Sequence, residues 1–121
     1  MKFTRNTVNG INDTILASND YTAIPFTVTE ATAVKAGYPM TLAGAKAVVS
    51  GESAKTINAD GILLYDVDPN ENPNGTLLIR GVIDTNKAAA SSGFTYDADA
   101  IKALKTAVPG IFCRDNISVN A

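Results

Sequence analysis

The chain has 121 residues, of which 45% are hydrophobic and 18% are charged, and its net charge is −2. This length predicts one domain with a single core, and the ordinary apolar content argues against disorder. The lack of a basic excess argues against nucleic-acid binding, and the lack of an apolar run of about 18 residues argues against a membrane span.

The beginning of the chain is polar and rich in asparagine, which predicts an extended N-terminal arm or a loosely attached strand over residues 1–20. Residues 21–121 are predicted to form a single β-rich domain. Its first strand is predicted at residues 21–29, where apolar and polar residues alternate and threonines and aromatic residues are frequent. Pro25 has no N–H to donate, so this strand is expected at a sheet edge or with a bulge.

Short elements are predicted next. Gly37 and Pro39 bracket a turn that leads into a short strand, and a second short strand is predicted at residues 46–49. Residues 50–60 are predicted to form a loop.

The two strongest strand patterns are the apolar runs at residues 61–67 and 76–83. The segment between them has two prolines and an Asn74-Gly75 step, which is typical of turns. Apolar residues occupy consecutive positions in both runs, as in strands that are covered on both faces. We expect so small a domain to achieve this only as a closed barrel or against a neighbouring subunit.

Two helices and a closing strand are predicted to follow. Residues 84–90 can start a short helix with Asp84 or Thr85 as its cap. Residues 97–107 form the clearer helix, because three apolar residues recur there at helical spacing, and residues 111–119 form the closing strand. The three residues are Ile101, Leu104 and Val108. These elements predict a mainly β fold with minor α+β character: a small β-barrel or sandwich, β-tulip- or β-clip-like, with one or two short helices.

The residue types that most often carry catalysis are scarce. There is no histidine, which removes the commonest general base and metal ligand together with Ser-His-Asp and Cys-His arrangements. The single cysteine, Cys113, cannot form an internal disulfide. It lies in an apolar run, which favours a buried structural thiol.

The loop between the two strong strand patterns is the candidate segment for a metal site or a catalytic carboxylate pair. Asp66, Asp68 and Asn70 stand at three ligand positions of a calcium loop. Glu71 and Leu77 stand where that loop needs glycine and glutamate, so turn-forming residues are the favoured interpretation. Asp66 and Asp68 can share a face as a carboxylate pair, but solvated loop acids are favoured over acid–base work. We expect no catalytic residue, no metal site and no cofactor, and hence no enzyme.

Four segments follow one another in a characteristic order and spacing. They are residues 21–28, residues 34–40, residues 59–67 with 72–79, and residues 107–117. In this order the chain resembles the head fibre and head decoration proteins of tailed bacteriophages, and the resemblance covers most of residues 21–120.

The resemblance implies a structural protein of the virion, located on the outer surface of the capsid and assembled in the host cytoplasm. Such proteins bind the major capsid protein, commonly as homotrimers, and stabilise the head after expansion. Longer members carry a fibre, whereas this chain stops at Ala121, soon after the predicted closing strand. We therefore expect either that the fibre is absent or that this is a minimal decoration protein, and capsid binding is favoured over host-surface attachment.

Two sets of residues are predicted to make these contacts. The arm residues Lys2, Phe3 and Arg5 are predicted to bind the capsid, with a frayed N-terminus as the alternative. Four residues of the strong strands are predicted at the interface between subunits, because a partner can cover a second apolar face. The interface residues are Leu63, Tyr65, Leu77 and Ile79.

Two other functions stay open at this stage. A glycan- or host-surface-binding module displayed on the capsid would need exposed aromatic residues, for which Tyr38, Tyr65 and Tyr96 are the candidates. A small hydrolase would need Asp66 or Asp68 in a concave pocket with a perturbed pKa.

Overall fold

A computed structural model describes residues 15–18, 20–52 and 54–114 of the chain. Within these residues a five-stranded sheet, a two-stranded hairpin and two helices form, which confirms a mainly β fold with two helices. The described strands do not close a barrel. In chain order the elements are β1 (Thr22–Thr27), β2 (Pro39–Met40), β3 (Val49–Ser50), β4 (Thr56–Ile57), β5 (Gly61–Leu63), β6 (Asn74–Asp84), α1 (Thr85–Ser92), α2 (Ala98–Ala107) and β7 (Ile111–Arg114).

The longest strand, β6, is the centre of the sheet. Its first half pairs antiparallel with β1 on one side and with β5 on the other, and β2 pairs with β5. Its second half pairs in parallel with β7, while Leu16 forms an antiparallel bridge to Ile83. Gly81, with a φ of +151°, stands where these neighbours change, and a Cβ there would lie 2.9 Å from the Cβ of Tyr21. A larger residue is therefore strained at this position.

The first described residue of the predicted N-terminal arm is Ile15. Ile15 and Leu16 are both buried, and the carbonyl of Ile15 accepts a hydrogen bond of 2.7 Å from the N–H of Asp84. This end of the predicted arm therefore packs against β6 and contributes to the core. Residues 1–14 lie outside the described residues.

Both faces of the sheet are covered within one chain. Leu77 and Leu78 are consecutive on β6, so their side chains point to opposite faces, and both are fully buried. Leu78 belongs to a helix-side core, and Leu77 belongs to a loop-side core. The helix-side core includes Ile62, Leu64, Leu78, Ile83, Ala88, Leu104 and Ile111. The loop-side core consists of Phe26, Val28, Val34, Met40, Leu63, Val67 and Leu77.

The expectation that a closed barrel or a neighbouring subunit is needed to cover both faces is wrong. Segments before β2 and after β5 cover one face, and the helices cover the other. Consecutive apolar residues in a strand report coverage of both faces, but they do not say which part of the protein supplies it.

The two helices begin and end close to the positions that their capping residues predict. Asp84 is the N-cap of α1 and accepts hydrogen bonds from the N–H groups of Asn86 and Lys87. Gly93 ends α1 with a φ of 80°, a left-handed conformation that glycine adopts readily. Asp97 is the N-cap of α2 and accepts a bond of 2.8 Å from the N–H of Ala100.

Strand boundaries follow the predictions less closely. Asn74 and Gly75, predicted to lie in a turn, are the first residues of β6, and β4 lies within the predicted loop at residues 50–60. The closing strand is β7, and residues 115–119 of its predicted range lie outside the described residues. The prediction for Pro25 is confirmed, since β1 is an edge strand of the sheet path.

Candidate interaction surface

The four predicted interface residues lie in two different environments. Leu63 and Leu77 have no exposed surface, because both belong to the loop-side core. Their place inside the chain accounts for their apolar character without a partner. Tyr65 is 50% exposed, and Ile79 is half-buried against the same core.

Tyr65 lies close to a second exposed tyrosine, Tyr21. Burial, followed by the neighbouring Tyr21, raises the pKa of Tyr65 above its ordinary value. Tyr21 is 38% exposed and packs over Gly81 on β6.

We call this surface the tyrosine face. It consists of Tyr21 and Tyr65, which lie close together and are both exposed. On the neighbouring strands β1 and β6, Ile24 and Ile79 are half-buried and pack on the loop-side core. Exposed aromatic side chains are typical of surfaces that bind other proteins.

Two ion pairs on neighbouring segments add charged groups to this part of the surface. The Arg80 guanidinium lies 3.2 Å from the Asp20 carboxylate and donates a bond of 3.1 Å to the Thr22 hydroxyl. Lys35 lies 3.5 Å from Asp66. Exposed pairs of this kind add little to stability, but they give a surface orientation and specificity toward charged partners.

The loop between β5 and β6 uses its acidic and amide side chains for its own turns. Asp68 accepts a hydrogen bond of 3.1 Å from the N–H of Asn70, and Asn72 accepts one of 3.1 Å from the N–H of Asn74. Asp66 accepts a bond of 2.8 Å from the N–H of Ala36 besides pairing with Lys35. These contacts agree with the prediction of turn-forming residues.

The other tyrosines named as candidates for glycan binding belong to an aromatic cluster. Phe94 packs edge-on against Tyr38, with ring centroids 5.4 Å apart, and against Tyr96, with centroids 4.9 Å apart. The Tyr96 hydroxyl donates a hydrogen bond of 2.5 Å to the carbonyl of Gly37, and burial raises its pKa. These contacts join the segment between α1 and α2 to the turn before β2, and Tyr38 and Tyr96 are both partly buried.

A groove lies beside β7, on the side of α2. It has a volume of about 410 Å³ and is lined by Val82, Ile101, Lys105, Ile111, Phe112, Cys113 and Arg114. Phe112 is 51% exposed there. Cys113 is a free thiol, and burial raises its pKa from 9.0 to about 11, which favours the structural role predicted for it.

One predicted site lies outside the described residues, and one exposed tyrosine was not predicted as a surface residue. The predicted capsid-binding residues Lys2, Phe3 and Arg5 lie outside the described residues. Tyr21 was not predicted as a surface residue, although it is the first residue of a predicted edge strand. An edge strand has one side without a neighbour, so a large aromatic residue beside it is a candidate for surface contacts.

Across the described ranges, no group of three or more histidine, cysteine, aspartate and glutamate residues is placed to hold a metal ion. None of the helices in these ranges is long and apolar enough to cross a membrane.

No protein-family model, curated protein or solved structure matches the chain.

Proposed function

We propose that this chain is a structural subunit that decorates the head of a tailed bacteriophage. In this proposal it binds the outer surface of the major capsid protein shell, assembles as a homotrimer and stabilises the head, without catalytic activity. The proposal includes the finer fold class, a β-tulip- or β-clip-like sandwich, which the five-stranded sheet and the separate two-stranded hairpin support over a closed barrel.

The observation that carries the proposal is the position of the four segments on which the resemblance rests. They contain β1, β2, β5, β7 and the first half of β6, and these five strands are joined by hydrogen bonds in one sheet. Segments that are far apart in the sequence therefore form one structural unit. The same order of motifs in a related protein would build the same sheet.

The tyrosine face gives this unit a surface for assembly. Its two tyrosines can contribute large contact areas with few rotatable bonds, so little side-chain entropy is lost when a partner binds. The ion pairs on neighbouring segments can orient the partner. This arrangement supports a protein whose role is contact with other subunits.

Binding to phage heads tests the proposal directly. Purified chain is mixed with expanded empty heads of the phage that encodes it, and co-sedimentation and the melting temperature of the shell are measured. We expect saturable binding and a higher shell melting temperature. Folded protein that does not bind at saturating concentration would refute the proposal.

Matched variants locate the contact. Tyr65→Ser should reduce binding at least several-fold, whereas Val48→Ser should leave it unchanged, because Val48 is 63% exposed but lies outside the tyrosine face. Lys2→Glu with Arg5→Glu tests the predicted arm contact. Unchanged affinity in that double variant would refute the arm contact and leave the tyrosine face as the candidate surface.

A further inference from the structure

Exposed charges of opposite sign, unpaired among the described residues, lie at the two ends of β6. The loop that precedes β6 carries Asp68 and Glu71, which are exposed and make no ion pair within the described part of the chain. The groove beside β7, at the far end of β6, is lined by Lys105 and Arg114. These two cations also make no ion pair with any described residue.

The groove combines an apolar floor with positive charge. Ile101, Ile111 and Phe112 supply apolar surface, and no described residue contributes a carboxylate to the lining of the groove. Phe112 exposes half of its surface there. Such a site suits a segment that presents both apolar atoms and carboxylates.

The loop that precedes β6 has this chemistry and a fixed shape. It presents the exposed ring of Pro73 beside the carboxylates of Asp68 and Glu71. The side chains of Asp68 and Asn72 hold its turns through bonds to backbone N–H groups. A loop that is already ordered loses less conformational entropy when it binds.

A chain cannot place this loop in its own groove. The loop ends at Asn74, and the groove begins at Val82, eight residues further along β6. Extended strand rises about 3.3 Å per residue, so roughly 26 Å separates them. The complementary surfaces can therefore meet only between two copies of the chain.

We propose that the groove beside β7 receives the loop of residues 68–73 from a second copy of this chain. Asp68 and Glu71 of one copy then face Lys105 and Arg114 of the next. Two different surfaces meet in such a contact, so it is head-to-tail, and repetition closes a ring when the rotation between copies allows it. The inference rests on the proposed homotrimer and specifies which surfaces form it.

Charge reversal and its rescue test the contact in the full-length chain. Glu71→Lys and Lys105→Glu are made singly and together, and self-association is measured by sedimentation velocity at low and high salt. Each single variant should weaken association on the order of tenfold, since an attraction is replaced by a repulsion. The double variant should recover most of the wild-type association, and salt should weaken the wild type.

Control variants separate a specific contact from general charge effects. Lys102→Glu changes an exposed residue of the same helix that lines a different cavity, and Glu52→Lys changes an exposed residue of the β3–β4 hairpin. Both controls should associate like the wild type. Thermal melting of every variant confirms that it is folded.

Several results would overturn the inference. They are a wild-type chain that stays monomeric at its solubility limit, single variants that associate normally, and a double variant that is not rescued. Co-sedimentation with heads distinguishes this failure from failure of the proposed function. A wild-type chain that stays monomeric but still binds heads overturns only the head-to-tail contact. A Lys105→Glu variant that loses binding to heads but keeps its self-association also overturns only that contact.

Discussion

Leu77 gives the sharpest test of the reasoning, because the sequence placed it at a subunit interface and the structure places it in the core of one chain. Its side chain has no exposed surface and packs in the loop-side core. A Cβ on Gly61 would lie 2.7 Å from the Cγ of Leu77, so the backbone of β5 closes directly over this side chain. Well-packed backbone cannot collapse into the space that a smaller residue would leave.

We expect Leu77→Ala to lower the free energy of unfolding by about 3–5 kcal/mol. Burying a leucine side chain contributes roughly 1.5–3 kcal/mol, and the unfilled cavity adds to the loss. For a domain of this size the melting temperature should fall by roughly 10–20 °C. Small domains have about 5–15 kcal/mol of stability in total, so the variant should remain folded at low temperature unless the wild type is near the lower limit.

Urea unfolding followed by circular dichroism, at two protein concentrations, is the assay. A core residue lowers stability equally at both concentrations, whereas an interface residue lowers it more at the higher concentration, where the oligomer is populated. Leu42→Ala is the matched control, because Leu42 is 54% exposed, and it should change stability by less than about 0.5 kcal/mol. A loss below about 1 kcal/mol for Leu77→Ala, or a loss that depends on concentration, would refute the assignment to the core.

Two further predictions concern capping and pH. Asp97→Ala should lower the free energy of unfolding, measured in urea, by about 1 kcal/mol, because Asp97 caps α2 through the N–H of Ala100. Asp99→Ala is the control and should lower it less. Equal losses for the two variants would contradict the capping role of Asp97. Burial raises the pKa of Cys113 from 9.0 to about 11, so the thiol loses its proton at a lower pH in the unfolded chain than in the folded chain. The stability that the protonated thiol contributes is therefore complete below pH 9.0 and is lost as the pH rises to about 11. The free energy of unfolding, plotted against pH over this range, should fall less steeply for Cys113→Ala than for the wild type. Identical slopes for the two proteins would contradict the raised pKa of Cys113.

The elements that the sequence predicts well are those with strong local signals. α2 begins after the capping Asp97 and ends at Ala107, two residues before Pro109, close to the predicted range of residues 97–107. Pro25 fixed the position of β1 at an edge, because a residue without an N–H cannot sit between two strands. Both predictions depend on atoms within a few residues of one another.

The weakest predictions concern short strands and surfaces. β4 has two residues, and its pairing with β3 gives a pattern too short to recognise in the sequence. The tyrosine face brings together Tyr21 and Tyr65, which are 44 positions apart, and nothing in either local segment indicates the other. Leu63 and Tyr65 lie two residues apart, yet one is buried and the other is half exposed.

The sequence by itself determined the mainly β class, the two helices with their caps, and the apolar character of β5 and β6. These features follow from hydrophobic periodicity and from backbone groups that nearby side chains satisfy. Only the tertiary structure decided what covers each face of the sheet, which strand β7 pairs with, and which residues around β5 and β6 remain exposed. Those outcomes depend on contacts between segments that are distant in the chain, and the same apolar strand can be covered equally well by its own loops or by another subunit.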